Sequence, residues 1–123
     1  MPEYPFNFAI LDELGTATQS FEAGEKIFLQ DDPAECLYVV RSGKVQIITY
    51  GTILENVGPG GVFGEMAMID KAPRSAAAIA AQTTQVMELD RPTFLFLIQK
   101  DPEFALNIME VLAKRIRRMN ASL

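Results

Sequence analysis

Between residues 16 and 89 the apolar positions come in short bursts with a period near two, broken by glycines; beyond residue 90 they recur every third or fourth position. Residues 36–41 (Cys-Leu-Tyr-Val-Val-Arg) and 44–50 (Lys-Val-Gln-Ile-Ile-Thr-Tyr) are rich in β-branched and aromatic side chains and flank Ser42-Gly43, a pattern that predicts a hairpin. A turn at Gly51 leads into another predicted strand, residues 52–57. Residues 20–22 and 26–29 lie on either side of Gly24, and residues 76–81 and 85–89 read as two more extended segments. Short strands at such regular spacing predict a closed or nearly closed antiparallel barrel or roll.

The change of period after Leu89 coincides with helix start signals. Asp90 precedes Arg91-Pro92, and Asp101-Pro102-Glu103 repeats the arrangement, with proline where a backbone N–H would have no helical partner. Two helices are expected, over about 91–119. In the second, Phe104, Ile108, Leu112 and Ile116 form a stripe with Ala105 and Met109 beside it, read as core or a homodimer seam with only its last turn functional. Residues 8–14 read as a short leading helix. All eight glycines fall between Gly15 and Gly64, so tight turns belong to the first half. There is no internal repeat, low-complexity tract or interdomain linker, and one domain over residues 1–123 is expected.

Composition narrows the chemistry. The chain has 123 residues, 49% hydrophobic and 22% charged, as in globular domains. Zero histidines and a lone cysteine, Cys36, exclude zinc sites, histidine triads and an internal disulfide, and no metal or cofactor is expected. Cys36 lies in a strand pattern and reads as a buried structural thiol. Eleven Lys+Arg against sixteen Asp+Glu give a net charge of −5, which repels polyanions, so no direct nucleic-acid partner is expected. Apolar runs fall far short of the roughly 20 residues that span a bilayer, and Met1-Pro2-Glu3-Tyr4-Pro5 lacks the pattern of an export signal. These features predict a cytoplasmic protein without membrane insertion.

A small anion is a different matter, because local donors outweigh a screened global charge. The stretch from Gly58 to Ala77 contains a glycine-rich bend, a helix-compatible Glu65-Met66-Ala67-Met68-Ile69 and, after Pro73, Arg74 at the edge of a strand. Gly64 leaves space for close backbone approach, and the Arg74 fork suits two phosphate oxygens. A carboxylate at Glu65 is compatible with an anion only if the ligand also donates a hydroxyl. A ribose 3′,5′-cyclic phosphate has both groups. The alternative from spacing alone is a helix-capping glutamate and a surface arginine. The cations Lys114, Arg115, Arg117 and Arg118 read chiefly as a solvated helix end facing the negative pole of its dipole, with ligand contact by Arg115 or Arg118 the sharper alternative.

Four segments, Phe21-Glu22-Ala23-Gly24-Glu25-Lys26-Ile27-Phe28, residues 34–45, Gly60-Gly61-Val62-Phe63-Gly64-Glu65-Met66-Ala67 and Pro73-Arg74-Ser75-Ala76, resemble the cyclic-nucleotide-binding domain in order and spacing. This module is shared by bacterial catabolite activators, protein kinase regulatory subunits and nucleotide-gated channels. The resemblance covers about residues 8–119. It implies a mainly β fold: an eight-stranded antiparallel, jelly-roll-like β-roll over about 16–89, with a short N-terminal helix, a short cassette helix and two C-terminal helices. It implies Glu65 as ribose ligand and Arg74 as phosphate ligand, with Phe63, Gly64, Met66, Ala67, Ser75 and Ala76 lining a phosphate-binding cassette. Arg115, Arg118 and Met119 are the candidate base lid. Met119 stands where the resembling bacterial activator carries a threonine, and Ser75 is compatible with cAMP or cGMP; cAMP is favoured. Asp31-Asp32-Pro33 replaces the Gly-Asp that many members carry, and the altered turn is expected to lie away from the ligand.

The sequence ends at Leu123, without the helix-turn-helix, tandem domain or pore of those relatives. The resemblance therefore implies a stand-alone, non-enzymatic sensor in signal transduction, whose C-terminal helices move about residues 89–91 and are read by a protein partner or a second copy paired through the last helix. A structural or dimerisation module without nucleotide is the second reading. An enzyme is the third and weakest, since no nucleophile has a visible base.

Overall fold

The computed structural model describes residues 6–121; the predicted absence of an export signal over the first five residues lies outside them. The chain order is α1 (Phe8–Glu13), β1 (Thr18–Phe21), β2 (Lys26–Phe28), β3 (Leu37–Ser42), β4 (Val45–Thr49), β5 (Thr52–Val57), β6 (Val62–Phe63), α2 (Met66–Ile69), β7 (Ala77–Ala80), β8 (Thr84–Leu89), α3 (Arg91–Lys100) and α4 (Pro102–Ala121). The eight strands form two four-stranded antiparallel sheets, ordered β1-β8-β3-β6 and β2-β7-β4-β5, as expected of a β-roll flanked by helices.

Residue-by-residue reading predicted seven of these strands. The eighth, β6, is only Val62–Phe63, pairing with Val39 and Tyr38 of β3, too short to separate from the glycine bend before it. Strand ends shift slightly elsewhere: β1 starts at Thr18 rather than Ser20 and stops at Phe21, and β7 is confined to Ala77–Ala80.

The run Leu37-Tyr38-Val39-Val40 is buried throughout because β3 is covered on both faces. Leu37 and Val39, with Met87 and Leu89 of β8, face a core made with Leu11, Leu97, Phe104 and Ile108 of the helices. Tyr38 and Val40, with Val86, face a second core against Val45, Val57 and Ala78. Alternate side chains of a strand point to opposite faces, so this one sheet is the middle layer between helices and the second sheet.

The helices are fixed at their starts. Asn7 Oδ1 accepts from the Ala9 N–H at 3.0 Å, and Asp90 Oδ1 accepts from the Thr93 N–H at 3.0 Å. Hydrogen bonding from the Thr93 side chain, and then from its backbone N–H, holds the Asp90 carboxyl below its ordinary pKa. Arg91 of α3 donates to the Met68 carbonyl of α2 at 3.1 Å. The stripe of α4 divides: Phe104 and Ile108 are core, Leu112 packs against its edge, and Ile116 and Met109 are exposed. No helix among the described residues is long and apolar enough to cross a membrane.

Phe104 is fully buried and its ring meets Phe6 and Phe94 edge-on. Phe104→Ala is expected to lower unfolding free energy by about 3 to 5 kcal/mol, whereas Met109→Ala changes it by less than about 0.5 kcal/mol, both read by urea denaturation.

Candidate functional site

A cavity of about 570 Å³ opens between the second sheet, the segment from Phe63 to Ala76 and the second half of α4. Its size is that of a small-molecule site, about 300 to 1,000 Å³. All eleven residues expected of the site, Phe63, Gly64, Glu65, Met66, Ala67, Arg74, Ser75, Ala76, Arg115, Arg118 and Met119, line this one space. Ile47, Ile53 and Leu54 of the β4–β5 hairpin add an apolar wall that the sequence reading did not include.

Arg74 enters the cavity from the segment before β7 and is only 7% exposed. Its Nη1 donates to the Gly64 carbonyl at 3.0 Å and its Nη2 to the Cys36 carbonyl at 2.7 Å. The guanidinium lies 4.2 Å from the Phe28 ring centroid and 5.7 Å from that of Tyr38, whose ring stacks on Phe63 at 5.1 Å. Nε is the one buried side-chain nitrogen or oxygen without a hydrogen-bond partner among the described residues. A surface arginine is therefore ruled out; this side chain is held at both terminal nitrogens and its Nε–H is unspent.

Gly64 serves this arrangement more than it serves backbone access. Its φ is +71°, and a Cβ there would stand 2.6 Å from Arg74 Nη1. The main chain thus turns sharply from β6 into α2 and presents its carbonyl to the guanidinium.

Glu65 follows directly and is 2% exposed. Its side chain makes no capping bond to α2, so the capping alternative fails. It is ion-paired with Nη1 of Arg115, which reaches across from α4, while Arg115 Nη2 meets Glu55 Oε2 of β5 at 2.5 Å. Arg118 approaches the other oxygen of Glu55 at 3.7 Å. Burial disfavours charge on Arg115, but Glu65 and Glu55 outweigh it and raise its pKa above the ordinary value. The reading of the basic cluster as a solvated helix end is corrected here: α4 runs on beside the cassette, which brings Arg115 over a buried carboxylate. Arg117 and Lys114 stay exposed, with Lys114 3.8 Å from Glu110 one turn back.

Glu55 was missed by sequence reading. The available signal was a single acid in the otherwise apolar start of a strand, Thr52-Ile53-Leu54-Glu55, set against a cationic helix end far away in sequence.

The turn at Asp31-Asp32-Pro33 does not line the cavity, in keeping with the expectation, yet it is bonded to the main chain of a cavity residue: the Asp31 N–H donates to the Arg74 carbonyl at 2.8 Å and the Arg74 N–H donates to the Asp32 carbonyl at 3.0 Å. Cys36 is buried as expected, and burial together with its hydrogen bond to Glu88 pushes its thiol up to about 11. Among the described residues no group of three or more His, Cys, Asp or Glu could hold a metal ion.

Residues 18–101 match the family model described as cyclic nucleotide-binding domain. A cyclic AMP receptor protein of Thermus thermophilus is 37% identical over 108 residues, 84% of this chain and 50% of that protein. A cAMP-dependent protein kinase regulatory subunit of Yarrowia lipolytica is 42% identical over 73 residues, 59% of this chain and 20% of that subunit. The crystal structure of the Thermus thermophilus catabolite activator protein superposes with a TM-score of 0.78 at 34% identity, covering 93% of this chain and 56% of that one. This chain thus spans about half the length of the bacterial relatives it matches.

Gly64→Ala is expected to cost about 1 to 3 kcal/mol, from the positive φ together with the clash at Arg74. Thermal or urea unfolding would measure it, and a neutral result would show that the guanidinium has room to shift.

Proposed function

This chain belongs to the cyclic nucleotide-binding domain family, and we propose that it binds a 3′,5′-cyclic nucleotide in the cavity between cassette and α4, cAMP in preference to cGMP. The observation that carries the reading is Arg74: a cavity-lining residue with a buried guanidinium whose Nε has no partner, bonded to the carbonyl of the residue before Glu65. A cyclic phosphate carries one negative charge and acceptor oxygens for that donor. Its ribose 2′-OH is a neutral donor for the Glu65 carboxylate, which tolerates a hydroxyl where it would repel a second anion. Phe63, Gly64, Met66, Ala67, Ser75 and Ala76 complete the cassette wall, while Met119 and Arg118 of α4 also line the cavity and are the residues proposed to meet the base. Relatives named for cAMP support the base preference.

The output of this receptor is α4. Arg115 and Arg118 tie the helix to Glu55 and Glu65, so a ribose arriving at Glu65 competes for a carboxylate that α4 already holds. A ligand shifts such an equilibrium only through its differential affinity for the two arrangements. Leu106, Met109, Ala113 and Ile116 are exposed on α4 at alternating three- and four-residue spacing, the seam of a two-helix pairing, and a second copy of the chain is the proposed partner there. The role is that of a non-enzymatic cytoplasmic sensor: Glu65 and Arg74 are committed to binding, and the net charge of −5 disfavours direct nucleic-acid contact.

Calorimetric titration with cAMP and cGMP, on protein stripped of nucleotide by unfolding and refolding, tests the reading. Saturable binding is expected, weakened by about 2 to 4 kcal/mol in Arg74→Ala. Glu65→Gln should weaken cAMP more than its 2′-deoxy analogue. A folded protein giving no heat with either nucleotide would leave the structural-module reading. Separately, light scattering should find a dimer that Leu106→Glu with Ile116→Glu converts to monomer; a monomeric parent chain would remove the seam.

A further inference from the structure

Arg74 is held at three points by one stretch of chain, the connection from β2 to β3. Phe28 closes β2 and stacks on the guanidinium, Cys36 accepts from Nη2 just before β3, and between them residues 31 and 32 bracket the Arg74 main chain with two hydrogen bonds of opposite sense. These two bonds depend on a tight turn. The Asp32 N–H donates to the Leu29 carbonyl at 3.2 Å, and the Leu29 N–H donates back to Asp32 Oδ2 at 2.9 Å. Asp31 within this turn has φ +71°, a conformation costly for a residue with a Cβ. Asp side chains bond nearby backbone groups in local turns and so offer the chain an alternative to a sheet ladder. The side chain of Asp32 therefore does for Leu29 what a strand partner would do, and the bend it fixes sets the position of the Arg74 backbone.

We propose that Asp32 is a positioning residue for the phosphate site: its carboxylate closes the turn over residues 29–32, and through the paired backbone of Asp31, Asp32 and Arg74 fixes where the guanidinium stands. The inference rests on Arg74 being the phosphate ligand. Asp32 touches no ligand and acts only through Arg74.

The test is cAMP affinity by calorimetry on the full chain, for Asp32→Ala and Asp32→Asn, each in the parent chain and in an Arg74→Lys background that keeps a cation but loses the fork. Asp32→Ala should weaken cAMP about tenfold, as expected for losing one turn-closing bond to a carboxylate, while Asp32→Asn, which keeps an acceptor, stays within about twofold. In the Lys background the effect of Asp32→Ala should shrink below about twofold, since residues acting through one another are not additive. Should Asp32→Ala fail to fold, Asp32→Ser, whose hydroxyl closes the turn more weakly, carries the test at about threefold. Unchanged affinity in the Ala or Ser variant, or an equal loss in both backgrounds, overturns the positioning role. Arg74→Lys binding cAMP as tightly as the parent overturns instead the phosphate assignment on which it rests.

Discussion

A guanidinium taken almost wholly out of water constrains everything around it, because its donors must be met by acceptors and its face by polarisable surface. Arg74 sets those requirements in this fold. Its partners come from segments far apart in sequence and from both sheets: Phe28 ends a strand of one sheet, while Cys36 and Gly64 adjoin β3 and β6 of the other. The Phe28 and Tyr38 rings that it lies against touch each other and the Phe63 ring, so the platform under the cation belongs to the core between the sheets. The roll holds this charge as part of its packing.

A second ionic layer lies above the first. Glu65 is as deeply buried as a core leucine, and a carboxylate there is tolerated only with a counter-ion. That counter-ion comes from α4, and Glu55 supplies the balancing charge on the far side of it. Replacing such a cluster by apolar side chains is often neutral or favourable for stability, so its presence is better understood as specifying where the helix lies than as holding the fold together. Arginines that as a sequence looked like the ordinary complement of a helix dipole thus join three elements: the cassette, a hairpin strand and the last helix.

How much of this was legible follows from the range over which each feature is encoded. Strands and helices declared themselves through period, turn residues and caps, all local, and seven strands could be placed without the fold in hand. β6 could not, because two residues carry no period; only its pairing with Tyr38 and Val39 makes it a strand. The residues between Phe63 and Ala76 that line the cavity were singled out through a local motif, two short segments close together in the chain. Glu55 and the bonding of the Asp31-Asp32 turn to the Arg74 backbone were missed because the partners lie 60 and about 40 residues apart. Charge pairs and backbone brackets of that range leave no local signature.

The division of α4 bears on how the cavity can speak to the rest of the molecule. Phe104 and Ile108 are sealed into the helix-facing core, and the Phe104 N–H is bonded to the Asp101 carbonyl at the junction with α3. Asp90 caps α3, and Arg91 pins its start to Met68, so the segment from residue 89 to 91 is among the better secured parts of the helical layer. Beyond Leu112 the hydrophobic residues Ala113, Ile116 and Met119 are exposed, and ion pairs of Arg115 and Arg118 reach across to the roll. Regions with little buried apolar surface open at the lowest free-energy cost. In the proposed relay the compliant element is therefore the second half of α4, with its pivot near Leu112 rather than at the junction after β8. The groups that decide its position are the same carboxylates that line the cavity.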